Sequence, residues 1–236
     1  MGIHITGVGS YIPSHKEKNQ DFLAHTFLDD SGKPFGADNG DIIEKFKAIT
    51  GIEERRYAKP HQTASDLAFL AAEKAIEDAS LDPETLDYII VAHNFGDIQH
   101  GCIQTDILPS LATRVKHNLQ IKNPNCVAYD LIFGCPGWVE GVIQAKAFIK
   151  SGMAKRCLVI GADTLSRIAD QNDRDAMIFA DGAGATIIEE TKEAGGVLSH
   201  SSQTYSTEEA FYLFSGNSND PNAKPENKYI KMLGRK

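Results

Sequence analysis

One stretch, residues 125–149, constrains the chain most, because it predicts a strand that turns directly into a helix at a cysteine. Residues 126–132 form a short apolar run rich in β-formers, which is typical of a buried strand. Gly134 ends the run, and Pro136 suits the first helical position, where its missing N–H costs nothing. Apolar side chains cover much of the surface of a helix built from residues 138–149, so we expect that helix to be largely buried.

Cys135 stands at this corner, and it is the predicted catalytic residue. A thiol at a helix N-terminus faces unpaired backbone N–H groups and the positive end of the helix dipole, which both stabilise the thiolate. Most free cysteines are small buried hydrophobes, but the order strand–Gly–Cys–Pro–Gly–helix favours a nucleophile. The four cysteines of the chain form no C-x-x-C pair, so we predict no metal site.

Length, charge and hydropathy exclude several classes of protein. A chain of 236 residues is one large or two small domains, and its net charge of −8 argues against a general nucleic-acid binder. No apolar run is long enough to span a membrane, and no basic segment followed by an apolar core opens the chain. We therefore expect a cytoplasmic protein that binds neither nucleic acid nor membrane.

Buried strands and helices alternate along the chain. Apolar runs at residues 86–92, 126–132 and 156–161 predict buried strands, and a capping box at residues 63–66 opens a helix that ends near Ser80. This alternation predicts an α/β fold with a mostly parallel, five-stranded type of sheet and helices on both faces.

Other segments are less regular. Residues 17–40 are polar and rich in Gly, which predicts a long surface excursion with one short helix. Residues 103–119 predict a helix that Pro109 interrupts or starts. Residues 176–189 predict a strand broken by a tight turn at residues 181–184, and residues 196–204 predict a further strand.

An ordered set of short motifs runs through the chain: Gly51-Ile52-x-x-Arg55, Ser65-Asp66-Leu67-Ala68, Cys135-x-Gly137, Val159-Ile160-Gly161-Ala162-Asp163, Asp173-Arg174 and Asp181-Gly182-Ala183-Gly184-Ala185. This set resembles β-ketoacyl-ACP synthase III of the thiolase superfamily. The resemblance implies a thiolase-like fold of two similar halves, of which this chain matches the N-terminal half only. Residues 1–190 then form the half that carries the nucleophile, and residues 191–236 form a peripheral strand and loop and the start of the C-terminal half.

The resemblance also implies roles for individual residues. Cys135 takes the acyl group as a thioester, and Arg174 packs on the adenine of coenzyme A. Leu165 and Phe179 line the acyl pocket, and Leu108 enters the pocket of a dimer partner. Each role has a structural alternative: Arg174 as a surface residue paired with a carboxylate, and the three apolar residues as ordinary core.

The reaction implied by the resemblance is an acyl transfer followed by a decarboxylative condensation, in fatty acid or polyketide-type synthesis. The primer comes from acyl-CoA or acyl-ACP, the second substrate is malonyl-ACP, and no cofactor is needed beyond these thioesters. The implied partners are acyl carrier protein and a second copy of the chain. The family's catalytic histidine and asparagine fall beyond Lys236, in the missing half or in a partner subunit, so we expect this chain alone to be inactive in condensation.

Two further departures from the family's pattern leave the identity of the primer open. Lys45 stands where the family has a tryptophan that stacks on adenine, and Phe133 stands near the cysteine where the family has small residues. The alternatives are a condensing enzyme similar to chalcone synthase or hydroxymethylglutaryl-CoA synthase, or a non-catalytic thiolase-like assembly subunit. A cysteine hydrolase on an α/β-hydrolase scaffold is disfavoured, because its elbow requires glycine where Phe133 stands. His93 is interpreted as a polar cap at a strand end, and a basic cluster is the candidate surface for acyl carrier protein: Lys146, Lys150, Lys155 and Arg156.

Overall fold

The computed structural model describes residues 2–234. The α-helices in this range are α1 (Asn39–Thr50), α2 (Ala64–Asp78), α3 (Leu111–Asn118) and α4 (Gly137–Lys150). The strands are β1 (Gly2–Tyr11), β2 (His15–Lys18), β3 (Glu54–Tyr57), β4 (Tyr88–His93), β5 (Asp97–Ile98), β6 (Thr105–Asp106), β7 (Val127–Ile132), β8 (Arg156–Thr164), β9 (Asp181–Thr191), β10 (Leu213–Gly216) and β11 (Tyr229–Met232).

The largest sheet in residues 2–234 has five strands in the order β1-β9-β8-β4-β7. β4 is parallel to β7 and β8, whereas β9 is antiparallel to β8 and β1. The sheet is therefore mixed, and the prediction of a mostly parallel sheet is wrong on the β9 side. The cause is the connection from β8 to β9, since residues 165–180 contain 3₁₀ turns but no crossover helix, which parallel pairing would require.

Alternate residues of β8 point into two apolar layers. Leu158 and Ile160 pack with α2 and α3, whereas Cys157 and Val159 pack with α4 on the other face. Helices on both faces were expected from the alternation, and the packing confirms them. The α2 layer is the more deeply buried, because alanines at helical spacing let α2 lie close to the sheet.

The sheet covers α4 on one side only. Val142, Ala145 and Ile149 are buried, but Val139 on the same helix is 50% exposed. The prediction of a largely buried helix is therefore correct only for its sheet-facing side. The preceding strand β7 was expected to be buried as well, yet it is the last strand at one edge of the five-stranded sheet. Its neighbour in this sheet is β4, and β8 pairs with the opposite side of β4.

The structure decides three local predictions. Of the two alternatives for residues 103–119, the helix that starts at Pro109 is close to the structure, because α3 begins at Leu111 after an N-cap by the hydroxyl of Ser110, whereas residues 103–109 are not helical. Residues 181–184 do not form a tight turn but lie in β9, where two antiparallel neighbours fix them as extended backbone. Residues 196–204 contain no strand, because their pairing with β1 is limited to one bridge at Gly196.

The segment after β9 is attached through a buried lysine. Lys231 of β11 is 7% exposed, and its Nζ donates to Asp170 (2.6 Å), Asp173 (2.9 Å) and Asn219 (2.8 Å). These bonds tie the β10–β11 hairpin to the loop between β8 and β9. The division at residue 190 into two units stays a prediction.

Arg55 anchors the excursion of residues 17–40, which contains the 3₁₀ helix Asn19–Ala24 close to the short helix expected there. The Arg55 side chain donates to Met177 O (3.0 Å), Glu17 O (3.2 Å) and Asn19 Oδ1 (2.8 Å). Its guanidinium carbon lies 4.9 Å from the centre of the Phe22 ring. One buried cation thus joins the excursion to the loop that precedes β9.

We expect Arg55→Met to lower the free energy of unfolding by about 3 kcal/mol, because several buried acceptors lose their donor at once. The matched control is Arg56→Met, since Arg56 is half-exposed and its loss should cost about 1 kcal/mol or less. Urea unfolding of both variants measures the difference. Equal losses in the two variants would contradict the anchoring role of Arg55.

Candidate active site

Cys135 lies between β7 and α4, at the carboxyl end of the strands β4 and β7. Gly134 has a φ of +74°, a conformation that favours glycine, and its carbonyl accepts a hydrogen bond from Gly137 N (3.0 Å). Pro136 is the N-cap, so the helix starts one residue later than the sequence predicts. Cys135 therefore lies two residues before the first residue of α4, at the predicted corner between strand and helix, and it is exposed.

The thiol opens into a cavity of about 210 Å³. The residues around this cavity come from the ends of β4 and β8, from the start of β9 and from the loop before α4: Ala92, Gly134, Cys135, Trp138, Gly161, Ala162, Asp163, Ala180 and Gly182. Trp138 and Gly161 also line a second, apolar groove of about 350 Å³ along β1 and β9. The cysteine thus faces a cavity and is not enclosed in the core.

Asp163 is the titratable neighbour of Cys135 in this cavity. Both of its oxygens accept hydrogen bonds from Asn94, one from the backbone N (2.9 Å) and one from Nδ2 (2.6 Å). Burial raises the pKa of the Asp163 carboxyl above its ordinary value of 3.8, although the Asn94 bonds act in the opposite direction. A second buried carboxyl, Asp181, also has a raised pKa for the same reason.

His93 ends β4 but does not line the cavity. Its ring is buried, Nδ1 accepts from Gly96 N (2.9 Å), and Nε2 lies 3.1 Å from Asp130 Oδ2. Asp130 in turn accepts from the backbone N–H groups of Leu111 and Ala112 at the start of α3. This network ties the end of β4 to α3, which agrees with a polar cap at a strand end.

Leu165 and Phe179, predicted to line an acyl pocket, lie in one apolar cluster. Two residues that the sequence analysis did not select, Phe95 and Ile103, are partly buried in the same cluster. Leu108 lies apart from it and is 82% exposed. An exposed leucine is not ordinary core, so the core alternative for Leu108 is wrong.

Arg174 lies in the loop before β9, where its guanidinium carbon is 5.0 Å from the centre of the Phe35 ring. Its Nε is 3.8 Å from Asp175 Oδ1, so the carboxylate partner of the structural alternative is also present. Lys45, by contrast, lies in α1. The aromatic neighbour of Arg174 thus comes from the excursion of residues 17–40.

The basic cluster proposed from the sequence lies at the wrong end of α4. α4 has 14 residues, so its last residue, Lys150, is about 20 Å from the helix start beside Cys135. Arg156 is bonded to Glu189, and Lys150 Nζ lies 3.9 Å from Glu190, which offsets part of the positive charge. These lysines and Arg156 therefore do not surround the mouth of the cavity.

Within residues 2–234, no helix combines the length and the apolar character needed to cross a bilayer. In the same range, no three His, Cys, Asp or Glu side chains are grouped so that they could bind a metal ion.

Residues 129–206, which include Cys135, α4 and β9, match the family described as 3-oxoacyl-[acyl-carrier-protein (ACP)] synthase III. The chain is 37% identical over 201 residues to β-ketoacyl-[acyl-carrier-protein] synthase III of Staphylococcus haemolyticus, covering 85% of this chain and 57% of that protein. It is 40% identical over 197 residues to synthase III 1 of Vibrio parahaemolyticus, covering 83% and 55%. The chain is thus similar to β-ketoacyl-ACP synthase III over most of its own length.

The fold agrees with this similarity. The crystal structure of 3-oxoacyl-[acyl-carrier-protein] synthase III from Aquifex aeolicus superposes on 99% of this chain with a TM-score of 0.76 and 30% identity. The fold is thus thiolase-like, as the motifs imply. The chain spans 65% of that structure and little more than half the length of the curated relatives it matches.

Asp163 lines the cavity and Asn94 holds its carboxylate, although no role was predicted for either residue. Asp163 is the last residue of the motif Val159-Ile160-Gly161-Ala162-Asp163 described above. Its position at the end of a buried apolar run could have predicted a place in the site, because the carboxyl ends of neighbouring parallel strands meet at one edge of a sheet.

Burial of Asp163 predicts a pH dependence of stability. The raised pKa means that the folded state binds the proton more tightly, so this carboxyl lowers stability as the pH rises above its ordinary value of 3.8. Asp163→Asn keeps the shape without the charge. We therefore expect the unfolding free energy of D163N, relative to wild type, to rise with pH by at most about 1.4 kcal/mol per pH unit.

Urea unfolding at a series of pH values measures this difference. Asp220→Asn is the control, because Asp220 lies far from the cavity in a polar loop and caps only its own turn. A difference between D163N and wild type that stays flat or falls with pH would contradict the effect of burial on Asp163.

Proposed function

We propose that this chain carries the acyl-accepting part of a 3-oxoacyl-ACP synthase III-like condensing enzyme, with Cys135 as the nucleophile. The observation that carries the proposal is the exposed Cys135 thiol, which lies at the start of α4 and opens into a cavity that Ala92, Trp138 and Ala180 also line. The similarity to known proteins supports the same chemistry, since the relatives named above are β-ketoacyl-[acyl-carrier-protein] synthases.

In the first step, the Cys135 thiolate attacks the carbonyl carbon of the primer thioester. The bond from that carbon to the donor sulfur breaks, and the donor thiol leaves with the proton that Cys135 has given up. In the second step, malonyl-ACP loses carbon dioxide, and the resulting carbanion attacks the carbonyl carbon of the acyl group on Cys135. A carbon–carbon bond forms, the bond from that carbonyl carbon to the Cys135 sulfur breaks, and the Cys135 thiolate is regenerated. The substrates are thioesters, and the proposed reaction uses no further cofactor.

Acyl carrier protein is the proposed protein partner, and both acyl-CoA and acyl-ACP are retained as primer donors. Arg174 and Phe35 form a stacked pair on which a planar base could extend the stack. This pair supports a role for Arg174 in holding the adenine of coenzyme A, with Phe35 as the aromatic partner that Lys45 does not supply.

A further segment of protein is proposed to cover the outer side of α4. Val139 is 50% exposed there, and the apolar groove beside Trp138 is open. The relatives are longer than this chain, so we propose that the remaining part, or a partner subunit, packs on this face and supplies the groups for the second step. This chain alone is then expected to perform only the first step.

The Cys135 proposal is tested with radiolabelled acyl-CoA and acyl-ACP. We expect wild type to retain stable label, and Cys135→Ala to lose essentially all of it, because Cys135 is the thiol that lines the cavity at the helix start. Cys102→Ala is the matched control, since Cys102 is the other exposed cysteine and should not affect labelling. The measurement is protein-bound label after denaturation.

Two outcomes would contradict acyl transfer to Cys135. Label retained by folded C135A would place the acyl group elsewhere. Absence of label on folded wild type with every donor would favour the alternative, a non-catalytic thiolase-like assembly subunit.

A homodimer is proposed through the edge strand β7. An edge strand presents unpaired backbone groups, and Ile132 on this strand is 64% exposed. Leu108, 82% exposed, is proposed to reach the partner's pocket, as the resemblance implies. These apolar side chains and the open edge support association.

We expect Ile132→Lys to convert a dimer to a monomer, because an unpaired charge buried in the interface costs several kcal/mol, of the order of 3 kcal/mol or more. Ile49→Lys is the control, since Ile49 is also well exposed (75%) but lies on α1. Sedimentation velocity distinguishes the two species. A monomeric wild type, or dissociation in both variants, would contradict the β7 interface.

A further inference from the structure

We propose that the carboxylate of Asp163 restricts Cys135 to acyl groups that carry no negative charge. Asp163 is then a specificity-determining residue, which admits uncharged primers to the thiol and rejects acyl groups that end in a carboxylate, such as malonyl. The inference rests on the proposed function, since it presupposes that Cys135 accepts an acyl group from a thioester.

Asp163 brings a charge into a cavity whose other walls are uncharged. It lines the cavity of about 210 Å³ together with the Cys135 thiol. The other lining residues in the described part of the chain are glycines, alanines and one tryptophan: Ala92, Gly134, Trp138, Gly161, Ala162, Ala180 and Gly182. An acyl group that reaches Cys135 through this cavity therefore enters the field of Asp163.

The contacts of Asp163 hold the carboxylate without neutralising it. Asn94 donates to both oxygens, from its backbone N to one (2.9 Å) and from Nδ2 to the other (2.6 Å). Donors on both oxygens favour the ionised carboxyl, which only accepts hydrogen bonds, and a neutral amide leaves its charge in place. Within residues 2–234, no lysine or arginine forms an ion pair with Asp163.

Several influences act on the ionisation of Asp163. Burial raises the pKa of its carboxyl, and the nearby Asp181 acts in the same direction, whereas the Asn94 bonds and His93 lower the pKa. A neutral Asp163 at pH 8 would need a pKa above 8, against an ordinary value of 3.8. Because Asn94 and His93 both oppose so large a rise, the side chain is assigned as a carboxylate at pH 8.

The position of the thiol makes this charge important. Cys135 lies at the start of α4, and the positive end of a helix dipole attracts other anions as well as a thiolate. An acyl group with a carboxylate would therefore be drawn to the same place as the thiolate. The Asp163 carboxylate opposes this attraction, whereas an uncharged acyl group responds weakly to either field. Selection against negative charge thus comes from Asp163 and not from the helix.

The test uses methanethiosulfonates of similar size that differ in charge, with propyl, carboxyethyl and trimethylammonioethyl groups. The Cys135 thiolate attacks the sulfenyl sulfur, a disulfide to the alkylthio group forms, the bond to the sulfonyl sulfur breaks, and methanesulfinate leaves. Because all these reagents react with the same thiolate, the thiolate fraction cancels in a ratio of rates. A Cys102→Ser background removes the other exposed thiol. Intact-protein mass spectrometry at pH 8 gives the rates, and peptide mapping confirms modification at Cys135.

We expect Asp163→Asn to raise the carboxyethyl-to-propyl rate ratio about tenfold and to lower the trimethylammonioethyl-to-propyl ratio by a similar factor, because one nearby charge is lost. Asp163→Ser removes the same charge and should act in the same way, whereas Asp163→Glu retains the charge and should keep both ratios close to wild type. Asp220→Asn is the matched control, since it changes the net charge equally from a polar loop. The propyl rate and the circular dichroism spectrum show whether each variant is folded.

Unchanged ratios in a folded, uncharged variant of Asp163 would overturn the inference. An equal change in D220N, or a shift of both charged reagents in the same direction, would overturn it as well. The experiment requires no acyl transfer, so it separates the two proposals. Shifted ratios without acyl labelling of Cys135 would reject the proposed function alone, whereas acyl labelling with unchanged ratios would reject the role of Asp163 alone.

Discussion

The close approach of α4 to the sheet determines where the thiol of Cys135 lies. A Cβ on Gly137 would stand 2.8 Å from the Cβ of Ala92, and a Cβ on Gly141 would stand 2.7 Å from Cγ1 of Val159. Neither distance is tolerable for a side chain, so both positions require glycine. Because the helix is held this close to β4 and β8, its first residue lies at their carboxyl ends. The cysteine before it then opens into the cavity between the strand ends.

Local sequence patterns predicted the elements around this contact well. Turn chemistry and side-chain periodicity act over a few residues, so a short stretch of sequence is enough to predict the element that it forms. This holds for the corner at Cys135, for the capping box of Thr63 and for the buried run of β8. The spacing of apolar residues over 138–149 also predicted a helix correctly. The spacing did not predict which side of that helix the rest of the chain would cover.

The failures concern relations between distant segments. The direction of β9 depends on how residues 165–180 return to the sheet, and its glycines are extended because β8 and β1 pair with it on both sides. An apolar run cannot distinguish a central strand from an edge strand, which is why β7 was misjudged. Asn94 and Phe95 were missed for the same reason, since their partners Asp163 and Leu165 lie about seventy residues away.

The charges around the cavity suit the two proposed steps unequally. Acyl transfer needs a nucleophile, which Cys135 provides, and an apolar surface for the chain, to which Ala92, Trp138 and Ala180 contribute. Decarboxylation creates a negative charge, which positioned donors must stabilise. The charged group that this chain contributes to the cavity is Asp163, whose carboxylate would oppose that charge, and its two oxygens already accept from Asn94. Stabilising donors for the second step therefore have to enter from the open side of the cavity, beside Trp138, where the proposed further segment would pack.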